Sequence, residues 1–352
     1  MNNIGNKVKI TAVNLLKLLP SRNRDVVSRR FGLKTGTKQT LESIGKSYGI
    51  TRERVRQIEE VSLKQLKSHL DSALKAEVSP YFDYVLSLLQ EHGGALREET
   101  LFEKVSSVGK PHPSNSALSL ILTLSDGFVR HPEDNDFYHF WSVSNDTAEN
   151  VKKVIVAAIE EFKTSSKLVP FNELTSFYNS VAKKTQSKLD FKAALSLFNI
   201  SRHISKNLFN EYGLSSWPEI EPRGVRDKAY LVLKQNKTPK HFREITQLIN
   251  LAAFSGRKAN VQTVHNELIK DKRFVLVGRG TYGLSEWGFR AGTVKDVLIQ
   301  ILKENKQPLA KVDLVAKVLN SRMVKENTIL LNLQDQKTFV KNQNGTYSLR
   351  EA

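Results

Sequence analysis

The stretch TLESIGKSYGITRERVRQIEEVSLKQLK, residues 40–67, decides how the amino-terminal part of this chain folds. Thr40 is a suitable N-cap for a first helix, with Ser43 at the third position in place of the Glu of a full capping box. Leu41, Ile44 and the small Gly45 form the inner face of that helix. Gly49 takes the turn, where a residue without a Cβ is cheapest, and Ile50 follows as an apolar plug. Thr51 then caps a second helix on which Val55, Ile58 and Ser62 share one face, continued by Leu63 and Leu66. The opposite face carries Arg52, Glu53, Arg56 and Gln57, at i, i+1, i+4 and i+5. The pattern is that of a helix-turn-helix.

The polar stripe has the chemistry of base readout. Arginine can bind guanine O6 and N7 through two hydrogen bonds, glutamine can do the same for adenine, and glutamate can accept from cytosine N4. The stripe lies at the helix N-terminal end, the part that enters a major groove. Arg54 sits to one side and suits a phosphate, as do Thr51, Arg29, Arg30, Lys38 and Lys46.

Charge along the chain agrees with a polyanionic partner. The 352 residues hold 54 Lys+Arg against 36 Asp+Glu, a net charge of +18. The surplus is uneven: residues 1–72 carry +9 and residues 222–290 carry +9, whereas residues 73–148 carry −6. A merely solubilising charge would be spread more evenly. The chain contains no cysteine, which excludes disulfides, thiolate zinc sites, iron–sulfur clusters and Cys nucleophiles. No apolar run approaches the roughly 20 residues needed to cross a bilayer, and no signal-peptide pattern opens the chain.

Beyond residue 72 a period near seventy emerges. Trp141, Trp217 and Trp287 recur in phase, as do Pro170, Pro239 and Pro308 and then Tyr212, Tyr282 and Tyr347. Each proline opens an amphipathic stretch: VPFNELTSF, TPKHFREITQLI and QPLAKVDLVAKVL. Each unit closes on an apolar–turn–apolar pattern, as in RFVLVGRGTYGLSEW and TFVKNQNGTYSL. Gly278 and Gly280 supply one turn, and Asn344-Gly345 is the strongest hairpin signal in the chain. Three short helices followed by a β-hairpin, repeated four times, is the winged-helix plan. The phase of Tyr282 and Trp287 argues for a core role rather than for base stacking.

Residues 21–67 resemble region 4 of bacterial housekeeping-class sigma factors, with RFGL, TLESIGKSYGITRERVRQIE and the downstream LKQLK in the family's order. The resemblance implies that this helix-turn-helix reads the −35 promoter element and docks on the flap of the RNA polymerase β subunit. It implies base-reading roles for Arg52, Glu53, Arg56 and Gln57, and backbone contacts for Thr40 and Arg30. Only 20 residues precede the motif, without the segment by which a full sigma factor melts DNA, so promoter opening by this chain alone is not expected. Residues 223–289 resemble the HARE-type helix-turn-helix domain, through KAYLVLKQNKTPKHFREITQLI and NVQTVHNELIKDKRFVLVGRGTYGLSEWG. That resemblance implies association with DNA or chromatin. Arg257, Lys258, Lys270, Lys272, Arg273 and Arg279 are then the candidate phosphate contacts, with Arg279 at the wing tip placed to enter a minor groove.

Catalytic patterns are missing from the sequence. His131, Asp134 and His139 lie close together but on a turn and strand, without the convergent spacing of a metal site. VGRGTYG lacks the following helix of a phosphate loop. The expected fold is mainly α with small β-hairpins: a helix-turn-helix at 1–72, then winged-helix-like units at 73–148, 149–221, 222–290 and 291–352. The expected function is that of a non-enzymatic DNA-binding transcription regulator, without cofactor, bound to double-stranded DNA and to RNA polymerase core. It is expected in the cytoplasm at the nucleoid, away from membranes. A delta-like polymerase accessory subunit and the DNA-targeting part of a restriction or modification system are the alternatives.

Overall fold

The computed structural model describes residues 4–72, 75–109, 111–252, 254, 256–305 and 307–350. It is mainly helical and divides into two compact units: Met1–Lys206 with Glu211–Ser215, and Asn207–Asn210 with Ser216–Ala352.

The first unit opens with α1 (Ile4–Leu16), α2 (Ser21–Phe31), α3 (Leu41–Tyr48) and α4 (Arg52–Ser72). Thr40 Oγ1 accepts from the Ser43 amide at 3.1 Å, capping α3, and Thr51 Oγ1 accepts from the Arg54 amide at 3.2 Å, capping α4. Between them Gly49 adopts φ +64°, the left-handed conformation that glycine reaches most cheaply. Val26, Ile44, Val55 and Ile58 make a small core here, with Leu41, Tyr48 and Ile50 partly buried against it. Ser62 is fully buried and satisfies its hydroxyl on the Ile58 carbonyl at 2.6 Å.

Two repeats follow in this unit. The first is α5 (Lys75–Glu91), β1 (Ala95–Arg97), α6 (Glu98–Ser106), α7 (Pro113–Thr123), β2 (Val129–His131) and β3 (Phe140–Ser142). The second is α8 (Asn145–Ser165), β4 (Val169–Pro170), α9 (Leu174–Thr185), α10 (Phe191–Phe198), β5 (Ile204–Lys206) and β6 (Glu211–Leu214). A single large core runs across position 72. It joins Val8, Leu15 and Leu19 of the amino-terminal segment to Leu66 and Leu70 of α4 and to Leu101, Leu118, Ile121 and Trp141 of the first repeat. Likewise, α8 runs through position 148, starting after the Ser144 cap.

The second unit holds two more repeats. One is α11 (Val225–Asn236), β7 (Lys240–His241), α12 (Phe242–Leu251), α13 (Val261–Lys270), β8 (Phe274–Gly278) and β9 (Thr281–Leu284). The other is α14 (Val294–Asn305), β10 (Leu309–Ala310), α15 (Lys311–Ser321), α16 (Glu326–Leu333), β11 (Phe339–Lys341) and β12 (Thr346–Leu349). Each repeat has its own core in this unit. Tyr282 is buried and Trp287 packs on the same core, as their phase implies.

Among the described residues the four sheets share one antiparallel order, β1-β3-β2, β4-β6-β5, β7-β9-β8 and β10-β12-β11. Each therefore has three strands, one more than the hairpin that sequence spacing suggests. The extra strand is only two or three residues long, too short for alternation to register. The periodic prolines mark it in the last three of the repeats. Pro170 lies in β4, while Pro239 and Pro308 immediately precede β7 and β10. Proline lacks an N–H, so it is tolerated on an edge strand or at a strand's start, and each of these strands pairs on one side only.

Candidate nucleic-acid interface

The amino-terminal half of α4 and its carboxy-terminal half serve two cores. Val55 and Ile58 pack with α2 and α3, whereas Leu66 and Leu70 enter the large core. The helix is therefore anchored along its length while its first two turns stay open on the other side. There Arg52, Glu53, Arg54, Arg56 and Gln57 are all exposed. Arg56 is held by neighbours on its own helix. Its guanidinium donates to both Glu53 carboxylate oxygens at 2.8–3.1 Å and to Glu60 Oε2 at 3.1 Å. The hydrogen bond and charge of Arg56 in turn hold the Glu53 carboxyl below its usual range. Arg54 donates to Gln57 Oε1 at 3.0 Å. Among the described residues Arg52 forms no ion pair.

The remaining amino-terminal candidates divide by partner. Lys46 is exposed and pairs with Glu42 at 2.9 Å. Arg29 and Arg30 are half-buried and brace the motif internally. Arg29 donates to Gln39 Oε1 and Ser47 Oγ, each at 2.8 Å, while Arg30 donates to Glu59 at 2.9 Å and to the Gln39 carbonyl at 2.7 Å. Gln39, which sequence reasoning passed over, thus receives both guanidinium groups. Its position just before the Thr40 cap is the only signal that could have drawn attention to it. Lys38 lies in the wall of a cavity that includes residues of the first repeat.

In the second unit Arg257, Lys258, Lys270, Lys272 and Arg279 are exposed. Arg279 occupies the β8–β9 turn beside Gly280, whose φ is +65°. Lys270 lies 3.9 Å from Glu267. Arg273 differs from the others. It is committed to Asp271 at 2.7 Å and Asp227 at 2.9 Å, ties α11 to the start of β8, and has its pKa raised first by the Asp271 hydrogen bond. Its sequence reading as a phosphate contact therefore meets a guanidinium already neutralised within the fold.

The geometry of residues 21–72 is that of a helix-turn-helix presenting a polar stripe at the open end of its second helix. Residues 15–68 match the family model described as Sigma-70, region 4. Over 56 residues the chain is 52% identical to the RNA polymerase sigma factor RpoS of Coxiella burnetii (strain RSA 493 / Nine Mile phase I), covering 16% of each chain. Over 54 residues it is 48% identical to the RNA polymerase sigma factors SigA of Microcystis aeruginosa and of Synechocystis sp. (strain ATCC 27184 / PCC 6803 / Kazusa), covering 15% of this chain and 13% of each of theirs. The chain thus spans only about one-sixth or less of the length of these relatives. No described helix is long and apolar enough to cross a membrane.

Proposed function

We propose that the chain is a DNA-binding transcription regulator that reads a promoter-type sequence in the major groove and works with RNA polymerase. One observation carries this reading: within the segment matching sigma-70 region 4, the open end of α4 exposes Arg52, Glu53, Arg56 and Gln57 together. These side chains offer the two-bond donors and the acceptor that base edges demand. Thr51, Arg54 and Lys46 stand beside them for phosphate contacts, and the positive end of the α4 dipole adds to the attraction.

In this reading the four repeats are winged-helix units and the third is of HARE type. Its exposed cations Arg257, Lys258, Lys270, Lys272 and Arg279 add a hold on DNA that does not depend on sequence. The protein acts by binding rather than by catalysis, at the nucleoid, with docking on the polymerase β flap as its second contact. Selection from a random duplex library with the full chain tests the reading. Enrichment of one short motif, weakened at one or two base pairs by Arg56→Ala or Gln57→Ala, is the expected result. Uniform binding to every duplex, unaffected in preference by either substitution, would sink it.

A further inference from the structure

We propose that the cavity of about 460 Å³ formed by the loop Gly36–Lys38 and the first repeat binds a small phosphorylated ligand of nucleotide size. Its volume falls within the roughly 300–1,000 Å³ of small-molecule sites. The loop is fixed in place: Gly36 has φ +82°, and a Cβ there would lie 2.7 Å from the His112 backbone nitrogen. The wall is thus a close backbone-to-backbone contact that no side chain could enter.

The polar groups of the cavity are unevenly spent. Each of its three carboxylates already has a cation. Glu98 accepts from Arg130 at 2.5 and 2.9 Å and from Trp141 Nε1 at 2.9 Å. Glu99 pairs with Arg97 at 2.7 Å and Glu133 with Arg202 at 2.8 Å. The donors are in surplus. Lys38 forms no ion pair among the described residues. Ser119, only 1% exposed, has a hydroxyl without a hydrogen-bond partner. His139 Nδ1 accepts from the Glu133 amide at 2.9 Å and His112 Nδ1 from the Ser114 amide at 3.2 Å, which leaves the proton of each neutral ring on Nε2.

Lys38 is exposed to solvent, yet partial desolvation and then the charge of Arg130 push its pKa down. An anion beside it would reverse that shift. A phosphoryl group brings three acceptor oxygens and a negative charge to this set of donors. Tyr138 is no stacking platform, because Arg97 and Arg202 lie 3.9 and 4.4 Å from its ring centre. The apolar part of the ligand therefore rests on Phe102 and Pro111.

Calorimetric titration of the full chain with AMP, ribose 5-phosphate, inorganic phosphate and adenosine tests the proposal. AMP should bind at one site, inorganic phosphate more weakly, and adenosine not measurably. Lys38→Met and Ser119→Ala should each weaken AMP by about tenfold, the loss of one hydrogen bond to a charged group. A circular-dichroism spectrum like the parent's checks that each variant is folded, and either variant alone suffices. No heat from any of the three phosphate-bearing probes overturns the proposal, as does AMP binding equal in the parent and a folded variant. An unchanged AMP isotherm for Lys38→Met with a weaker hold on duplex DNA assigns Lys38 to a DNA phosphate instead, and also overturns it.

Discussion

At the residue scale, the behaviour of Arg56 follows from where it sits. Its ion pairs with Glu53 and Glu60 are fully exposed, and such pairs contribute little to stability. They keep the side chain extended along the helix yet yield easily to a guanine edge. Arg56→Ala should therefore leave the thermal midpoint nearly unchanged and weaken binding to the preferred duplex roughly tenfold to a hundredfold. Fluorescence anisotropy on matched and single-mismatch duplexes would show it, and equal weakening on all duplexes would mean that Arg56 touches only phosphate. Glu98 is the opposite case. Its side chain is 14% exposed, and burial alone would raise its pKa. The hydrogen bond and charge of Arg130 outweigh burial, with Lys38 adding to them, and the pKa falls below 4.5. A depressed folded pKa gives stability that is present above the unfolded value and lost as pH falls through the folded one. The parent should thus lose stability on acidification below about pH 4. Glu98→Gln should cost about 3 kcal/mol at neutral pH, because Arg130 is left half-buried without its partner, and it should blunt that acid loss. Chemical denaturation across pH measures both. The Glu98–Arg130–Trp141 cluster was not legible in the sequence, since its members are 32 and 43 positions apart with no shared spacing.

At the element scale, the two glycines of the helix-turn-helix act for different reasons. A Cβ on Gly49 would meet nothing within 4 Å, so only its left-handed backbone resists substitution. Gly49→Ala should cost about 1 kcal/mol. A Cβ on Gly45 would lie 2.7 Å from the Ile50 carbonyl oxygen, with no flexible side chain to give way. Gly45→Ala should therefore be the more damaging change, forcing α3 and the turn apart, and a denaturation series comparing the two would reverse this reading if Gly49→Ala proved the worse. The caps, the turn glycine and the stripe were legible because all depend on contacts within a few residues. The third strand of each repeat was not, because two or three residues show no period. Its place is set by pairing with a hairpin some thirty to fifty positions later.

At the scale of the whole molecule, the second unit offers two tests. Arg322 is only 6% exposed and lies at the end of α15, in the fourth repeat. It donates to the Leu276 carbonyl of β8 at 2.7 Å and to the Gly292 carbonyl, and the Met323 amide donates to Val277 at 3.0 Å. Third and fourth repeats are thereby joined, so they should unfold in one calorimetric transition that Arg322→Met splits in two; a single transition in the variant would show that the bridge is dispensable. Charge provides the other test. Replacing Arg257, Lys258, Lys272 and Arg279 by Gln should flatten the slope of log affinity against log salt by about 0.9 for each DNA phosphate no longer neutralised, with the preferred sequence unchanged. An unchanged slope would remove the third repeat from DNA.

What the sequence by itself determined is local and periodic. The caps at Thr40 and Thr51, the turn at Gly49, the stripe from Arg52 to Gln57 and the seventy-residue phase of Trp, Pro and Tyr all rest on neighbours along the chain or on a spacing that repeats. Tertiary structure alone decided which cations remain exposed and which are consumed. Arg29, Arg30 and Arg273 look like Lys46, Arg54 and Arg279 in sequence, yet each of the first three finds buried or part-buried partners. Tertiary structure also decided that the amino-terminal helix shares a core with the first repeat, and that Lys38 and Ser119 line one cavity. The physical reason is that a partner for a charge, a hydroxyl or an apolar face is chosen by chain segments brought together only on folding. Arg30 with Glu59, Arg273 with Asp227 and Glu98 with Arg130 each join residues that no short window of sequence contains together.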